Sequence, residues 1–296
     1  MGLYPFSFSP FDIQDFFRYN ENDCKGETMI KLVAFDMDGS FLSPDNDYDR
    51  ERFARIFPQL MARGIKVVAI SGNQYHQIKT FFSDYLDEMV IVSEAGSMIF
   101  EKGVRIFEQT FDRSVVDDLL SILQAKGFLA QTAITGLEAI YFEKKCDPDF
   151  RKIILKHNFK YVEVDSLMEL PDDAYCMLTM NLPGQEIDAI VDELNSHTGQ
   201  AARAMSSGFN FIDIVLPHVN KGVALDWLGE KWGIQADEMI AFGDSDNDLE
   251  MLQYVGHSYA MANAGDRVKA AAKYQAPANK DSGVLQIIEE VVLGTD

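Results

Sequence analysis

The sequence predicts an α/β protein: a doubly wound, Rossmann-like parallel sheet core carrying a large inserted α+β domain. Three observations lead there. Near both ends of the chain, short apolar runs of strand length alternate with amphipathic runs of helix length. That rhythm implies a parallel sheet covered by helices on both faces. The apolar runs lead straight into polar loops, as expected at the carboxyl ends of parallel strands, where ligands bind. Finally, 150 residues separate Ser71 from Lys221, far more than the roughly 30 residues of one strand–helix–strand unit.

Taken in order, Lys31–Phe35 is an apolar strand ending at Asp36-Met37-Asp38-Gly39. A helix follows over about 49–63, stopped by Gly64. The strand Ile65–Ile70 runs into Ser71-Gly72-Asn73, a helix spans Gln74–Phe82, and Met89–Val92 is the next strand, before Ser93-Glu94-Ala95-Gly96. A hairpin is expected around Glu101-Lys102-Gly103. The inserted domain then opens with a helix over Arg113–Lys126, ended by Gly127. Strands are expected at Phe128–Ile134 and Glu138–Phe142, turned by Thr135-Gly136, and near Tyr161–Val164 and Tyr175–Met180, with helices starting near Pro148 and Gln185. This is an antiparallel sheet with helices, and the strand Phe209–Val215 closes the segment. The first rhythm returns with the helix Lys221–Trp232, the strand Met239–Phe242 and the loop Gly243–Asp248. The expected organisation is an N-terminal extension at 1–28, a core formed by 29–109 and 208–296, and an inserted cap at 110–207.

Composition narrows the function. With 26 Lys+Arg against 47 Asp+Glu, the net charge is −21, which argues against broad contact with nucleic acid or an anionic membrane. A local positive pocket for a small phosphorylated metabolite remains compatible with that field. No run approaches 18 apolar residues, and the N-terminus lacks the basic start and apolar run of a secretion signal. Cys24, Cys146 and Cys176 are odd in number and far apart, suiting a reducing compartment, so a cytoplasmic protein is expected. The oligomeric state is not encoded legibly.

Several loops carry chemistry. Asp36 and Asp38 flank one residue at a strand end, so alternation would aim both carboxylates the same way. A hard cation between them, or a proton on one, would relieve their repulsion, although a pair of turn-forming aspartates has the same spelling. Calcium loops are excluded, since Phe41 and Leu249 stand where such a loop, counted from Asp36 or Asp244, needs glycine. Ser71-Gly72 at a strand-to-helix step suits a phosphate oxygen, though plain turns use the same pair. Lys221 opens a helix at the end where the dipole disfavours a cation, so an anion facing it explains it better than helix stability does. Asp244, Asp246 and Asp248 at another strand end point to a divalent metal, against the alternative of a solvated, helix-capping loop. The five histidines show no ligand spacing, and only His218 is a weak pocket candidate.

The ordered set FDMDGSFL (35–42), ISGNQ (70–74), NKG (220–222) and GDSDNDLEML (243–252) resembles the haloacid dehalogenase superfamily of phosphohydrolases. The likeness is to its Cof-type branch, most of all the Cof-type sugar-phosphate phosphatases. SEAGSMIFEKG (93–103) and MANA (261–264) are secondary landmarks, and the likeness runs from about Lys31 to Val292. The resemblance implies a Mg²⁺-dependent phosphatase of small phosphorylated metabolites, with Asp36 as nucleophile and Asp38 as general acid and base. It implies Mg²⁺ held by Asp36, the Asp38 backbone carbonyl and Asp244. Phosphoryl contacts would come from Met37, Ser71, Gly72, Lys221 and Asn247, with Asp248 in support. Three positions depart from the pattern: Ser40 replaces the commoner Thr, Asn73 stands where Arg is often seen, and Ala95 where Asn is frequent. A phosphomutase is the alternative, with Lys144 and Lys145 as candidates for a second phosphate, as is a phosphatase of pyridoxal phosphate or a nucleotide.

Overall fold

The computed structural model describes residues 29–157, 160–208 and 210–294, so the expected extension at 1–28 lies outside the described residues. In chain order the strands are β1 (Leu32–Asp36), β2 (Lys66–Ile70), β3 (Val90–Ser93), β4 (Met98–Glu101), β5 (Val104–Glu108), β6 (Thr132–Gly136) and β7 (Ile140–Glu143). They continue with β8 (Tyr161–Val164), β9 (Tyr175–Asn181), β10 (Arg203–Gly208), β11 (Phe211–Val215), β12 (Met239–Gly243), β13 (His257–Met261) and β14 (Tyr274–Ala276). The helices used below are α1 (Arg50–Ala62), α2 (Tyr75–Phe81), α3 (Arg113–Lys126), α4 (Pro148–His157), α5 (Ile187–Thr198), α6 (Lys221–Trp232) and α7 (Leu249–Tyr254).

The first sheet has the order β14-β13-β12-β1-β2-β3-β4-β5, parallel from β14 to β3 and antiparallel through β4 and β5. Alternation along its central strands divides the core. Val33, Phe35, Val67, Ala69, Ile240 and Phe242 face α1, while Leu32, Ala34, Val68, Ile70, Met239 and Ala241 face α6 and α7. Burial on both faces is why these strands read as unbroken apolar runs. The chain moves from β1 outward through β2 and β3, then returns beside β1 as β12. The order therefore reverses between β1 and β12, and the loops after these two strands flank the crevice where such sheets bind ligands.

The second sheet, β10-β11-β9-β6-β7-β8, is covered on one face by α3 and α5 through Leu119, Leu123, Leu194, Leu178, Ile212 and Ile214. Four details differ from expectation. The segment at Phe128 is not yet extended, because its N–H bonds the Leu123 carbonyl at 2.9 Å and a short 3₁₀ turn (Leu129–Gln131) intervenes before β6. The following turn is closed by Gly136 N–H on the Ala139 carbonyl, not by Thr135-Gly136. Strands β7 and β8 are parallel, since α4 carries the chain back between them, so the sheet is mixed. Finally, β10 was unforeseen, and β11 pairs with β9 and β10. The inserted region therefore continues through Val215 instead of ending at 207.

The second sheet rests on the first through a seam of Ala95, Met98, Cys176, Met177, Met205, Val215 and Val219. Gln74 exchanges two hydrogen bonds with the Lys160 backbone, donating to its carbonyl at 3.0 Å and accepting from its N–H at 3.2 Å. On the β10 side, Arg203 pairs with Glu250 of α7 at 2.5 Å.

Candidate active site

The site begins where β1 ends. The Asp36 carbonyl accepts from Phe41 N–H at 3.0 Å and the Met37 carbonyl from Leu42 N–H at 2.8 Å, turning the chain sharply. Gly39 takes φ +84°, and a Cβ there would meet Asp244 Oδ2 at 2.3 Å, so this position needs glycine twice over. The turn ends the alternation expected to align the two aspartates. Asp36 is 4% exposed and points inward, whereas Asp38 is exposed and accepts from Asn73 Nδ2 of the neighbouring loop. Both border the same crevice, but only Asp36 enters the buried cluster. Asn73, which stands where Arg is often seen, donates this hydrogen bond and orients Asp38.

Lys221, the first residue of α6, is fully buried. Asn220 caps the helix by accepting from Val223 N–H at 2.9 Å. The Lys221 ammonium donates to Asp36 Oδ1 at 2.6 Å, Asp248 Oδ1 at 2.5 Å and Asn247 Oδ1 at 3.4 Å. Asp248 also accepts through Oδ2 from the Asp244 and Ser245 N–H groups at 2.9 and 3.0 Å. A buried ion cluster of this kind is a poor source of stability, since an apolar side chain of equal volume does as well. Its presence at the sheet's switch point speaks for chemistry.

The loop after β2 completes the crevice. Ser71 is buried, and its Oγ accepts from Asn73 N–H at 3.0 Å, leaving the hydroxyl proton available. Asn247 turns Oδ1 to Lys221 and to the Ser245 hydroxyl, at 2.8 Å from the latter, which aims Nδ2 at Gly72, 4.0 Å from where a Cβ would sit. The Asn247 amide thus joins the Gly72 turn to the Lys221 ammonium, with Ser71 next to Gly72 in the same loop. His218 lies elsewhere, exposed and bonded to Gln109 at 2.8 Å. Lys144 is exposed and pairs with Asp165 at 2.8 Å.

Electrostatics then decide what else the site takes. Asp36, Asp244 and Asp248 offer oxygens within 4.8 Å of one another. Against three carboxylates the cluster sets one ammonium. Burial pushes the Asp36 carboxyl well up, with Asp248 and Asp244 adding to the rise and Lys221 opposing it. Burial and then Asp248 raise Asp244 to about 7, although Ser40 donates to its Oδ1 at 2.9 Å. Burial alone would lower Lys221, but Asp248 and Asp36 hold it above its ordinary value. The site is short of positive charge, and its donors are hard oxygens. The residues present fit a divalent cation. Because both Asp248 oxygens are already engaged, Asp36 and Asp244 are the side chains left to hold it.

Two supporting residues were legible only as landmarks. Asn263, in the MANA segment, donates from Nδ2 to the Gly39 carbonyl at 2.8 Å and braces the first loop. Glu94, after β3, is 2% exposed with φ 48°, and Ala95 beside it has φ 57°. Gly96, at φ +109°, lets this loop lie against the Asn220 carbonyl, which a Cβ would meet at 2.6 Å.

Likeness to known proteins places the chain among the phosphoric monoester hydrolases. The chain belongs to the haloacid dehalogenase-like hydrolases, whose family model matches residues 33–288. The 5-amino-6-(5-phospho-D-ribitylamino)uracil phosphatase YbjI of Escherichia coli is 35% identical over 267 residues, covering 89% of this chain and 96% of its own. A Bacillus subtilis phosphatase named for the same substrate, YwtE, is 24% identical, over 90% of this chain and 99% of its own. Among solved structures, SMU.1108c from Streptococcus mutans superposes with a TM-score of 0.84 at 34% identity, over 89% of this chain and 99% of that one. The expected superfamily, its Cof-type branch and the enzyme class all hold. Among the described residues no helix is long and apolar enough to cross a membrane.

Proposed function

We propose that this enzyme is a Mg²⁺-dependent phosphatase of sugar and sugar-alcohol phosphates that works through an aspartyl-phosphate. The observation that carries the reading is the contact of a fully buried Lys221 with Asp36, beside Asp244, at the mouth of β1 and β12. Asp36 attacks phosphorus, the phosphoester bond breaks, and Asp38 gives its proton to the departing alkoxide. Water then attacks the phosphoaspartate with Asp38 as base, releasing phosphate and restoring Asp36. Ser71, the Gly72 and Met37 backbones, Lys221 and Asn247 hold the phosphoryl oxygens, because this reaction is mostly positioning and charge neutralisation. Asp248 keeps Lys221 in place. Mg²⁺, held by Asp36, Asp244 and the Asp38 carbonyl, would supply the positive charge that the cluster lacks.

The relatives named for a ribitylaminouracil phosphate support a substrate with a polyhydroxylated chain. The mutase reading gains nothing, since Lys144 is engaged at the surface by Asp165. The test is phosphate release, with and without a chelator, from para-nitrophenyl phosphate, ribitylaminouracil phosphate, sugar phosphates, pyridoxal phosphate and a nucleotide. Mg²⁺-dependent release with a preference for a sugar or polyol phosphate is expected. Release that survives chelation, or a preference for pyridoxal phosphate or the nucleotide, overturns this reading.

A further inference from the structure

The inserted domain sends one buried acid into the phosphate crevice. On β11, Ile212 and Ile214 pack with α3 and α5, so alternation turns Asp213 to the opposite face of the sheet, toward the core. Asp213 is 5% exposed. Its Oδ1 accepts from the hydroxyl of its cross-strand partner Thr179 at 2.8 Å, and Ser207 also donates to the carboxylate. Its Oδ2 lies 3.6 Å from the point where a Cβ on Gly72 would be, and Asn247 Nδ2 lies 4.0 Å from that same point. A carboxylate from one domain and an amide from the other therefore meet over the phosphate-binding turn.

A carboxylate there repels a phosphate dianion, so it is not a phosphate ligand. It is an acceptor held rigid by two hydroxyl donors, placed where the first carbons of the leaving alcohol must pass. Arg203, the cation on the same face, is occupied by Glu250, which gives a second anionic group on the substrate little to bind. We infer that Asp213 selects the substrate, accepting a hydrogen bond from a hydroxyl near the phosphoester of a phosphorylated polyol. This rests on the phosphatase reading and adds to it the group that the enzyme recognises and the residue that does so.

The test compares ribitol 5-phosphate with pentyl phosphate, which has the same carbon count and no free hydroxyls, on the parent enzyme and on Asp213→Ala and Asp213→Asn. The parent should prefer ribitol 5-phosphate. In Asp213→Ala its kcat/KM should fall about 10- to 100-fold, mostly through KM, as for loss of a hydrogen bond to a charged acceptor. The fall for pentyl phosphate should be at least about tenfold smaller. Asp213→Asn keeps the volume and the Thr179 contact, so it guards against misfolding and should show the same selective loss to a smaller degree. Equal losses on both substrates, or no loss on ribitol 5-phosphate, overturn the assignment alone. A parent that releases phosphate from para-nitrophenyl phosphate and the sugar phosphates but from neither of these substrates also overturns the assignment alone. One that releases it from none of them overturns the phosphatase reading as well.

Discussion

Glu94, in the loop that lies against Asn220, gives a sharp test of a buried charge next to the site. Burial pushes its carboxyl from 4.5 up to about 7, against smaller downward pulls that include the Tyr75 backbone and Arg105. Its Oε2 finds no hydrogen-bond partner among the described residues. Because the folded value lies above the unfolded one, the folded enzyme holds this proton longer. The resulting stability is complete below about pH 4.5 and is lost as the pH rises through 7. A rise from 4.5 to about 7 corresponds to about 3 kcal/mol. Glu94→Gln removes the ionisation while keeping the side chain's shape. Denaturant unfolding of parent and variant between pH 5 and pH 8.5 reads the difference. The two tryptophans, Trp227 and Trp232, both lie on α6 in the same domain, so their fluorescence reports the relevant unit. The variant should gain on the parent by about 2.5 kcal/mol between pH 5 and pH 8.5, the remainder of the effect lying below pH 5. A stability difference that stays constant from pH 5 to pH 8.5 refutes the reasoning.

Three further outcomes follow from the site. Asp36→Asn keeps the volume and removes the nucleophile. Turnover should fall by on the order of 10⁴-fold or more with an unchanged circular dichroism spectrum, and near-parent phosphate release would refute the phosphoaspartate. Asp38→Asn should cost about 10²- to 10⁴-fold on sugar phosphates and much less on para-nitrophenyl phosphate, whose leaving group needs no proton. Equal losses in the two assays would exclude Asp38 as general acid. Gly39→Ala places a methyl 2.3 Å from Asp244 Oδ2 on a backbone at φ +84°. It should cost about 1–2 kcal/mol of stability and raise the Mg²⁺ concentration needed for half-maximal rate. An unchanged Mg²⁺ requirement would show that Asp244 does not need this cradle.

Much of this was legible because loops and caps spell themselves out. Arg113–Lys126 with Gly127 behind it is a helix whose stop adopts φ 74°, as the sequence implied. Lys221 stood out because its place at a helix start made no sense for the helix, and it proves to be fully buried against two acids. Strand β10, spelled RAMSSG, carried no apolar alternation, since its partner β11 and helix α5 define it and its own side chains do not. For the same reason the expected boundary at 207 falls before β11, because an apolar strand does not record which neighbours it pairs with. Asp213 inside FNFIDIVL carries no motif, yet a lone acid between two isoleucines of a buried strand is itself a signal.

The seam between the two sheets has a consequence for how the enzyme cycles. Three of its seven buried members are methionines, Met98, Met177 and Met205. Methionine is unbranched and polarizable, and it re-forms contacts in many rotamers at little energetic cost. A seam of leucine or isoleucine would lock one angle between the domains, because branched side chains interdigitate in a single way. A joint with three methionines therefore costs less packing to re-form after a change of angle than one built of branched side chains alone. Two polar fastenings cross the same joint, the buried Gln74 on the Lys160 backbone and the part-exposed Arg203–Glu250 pair. The same sulfurs make the joint vulnerable: oxidation to sulfoxides would plant polar groups in a buried seam whose members do not include Asp36, Asp244 or Lys221.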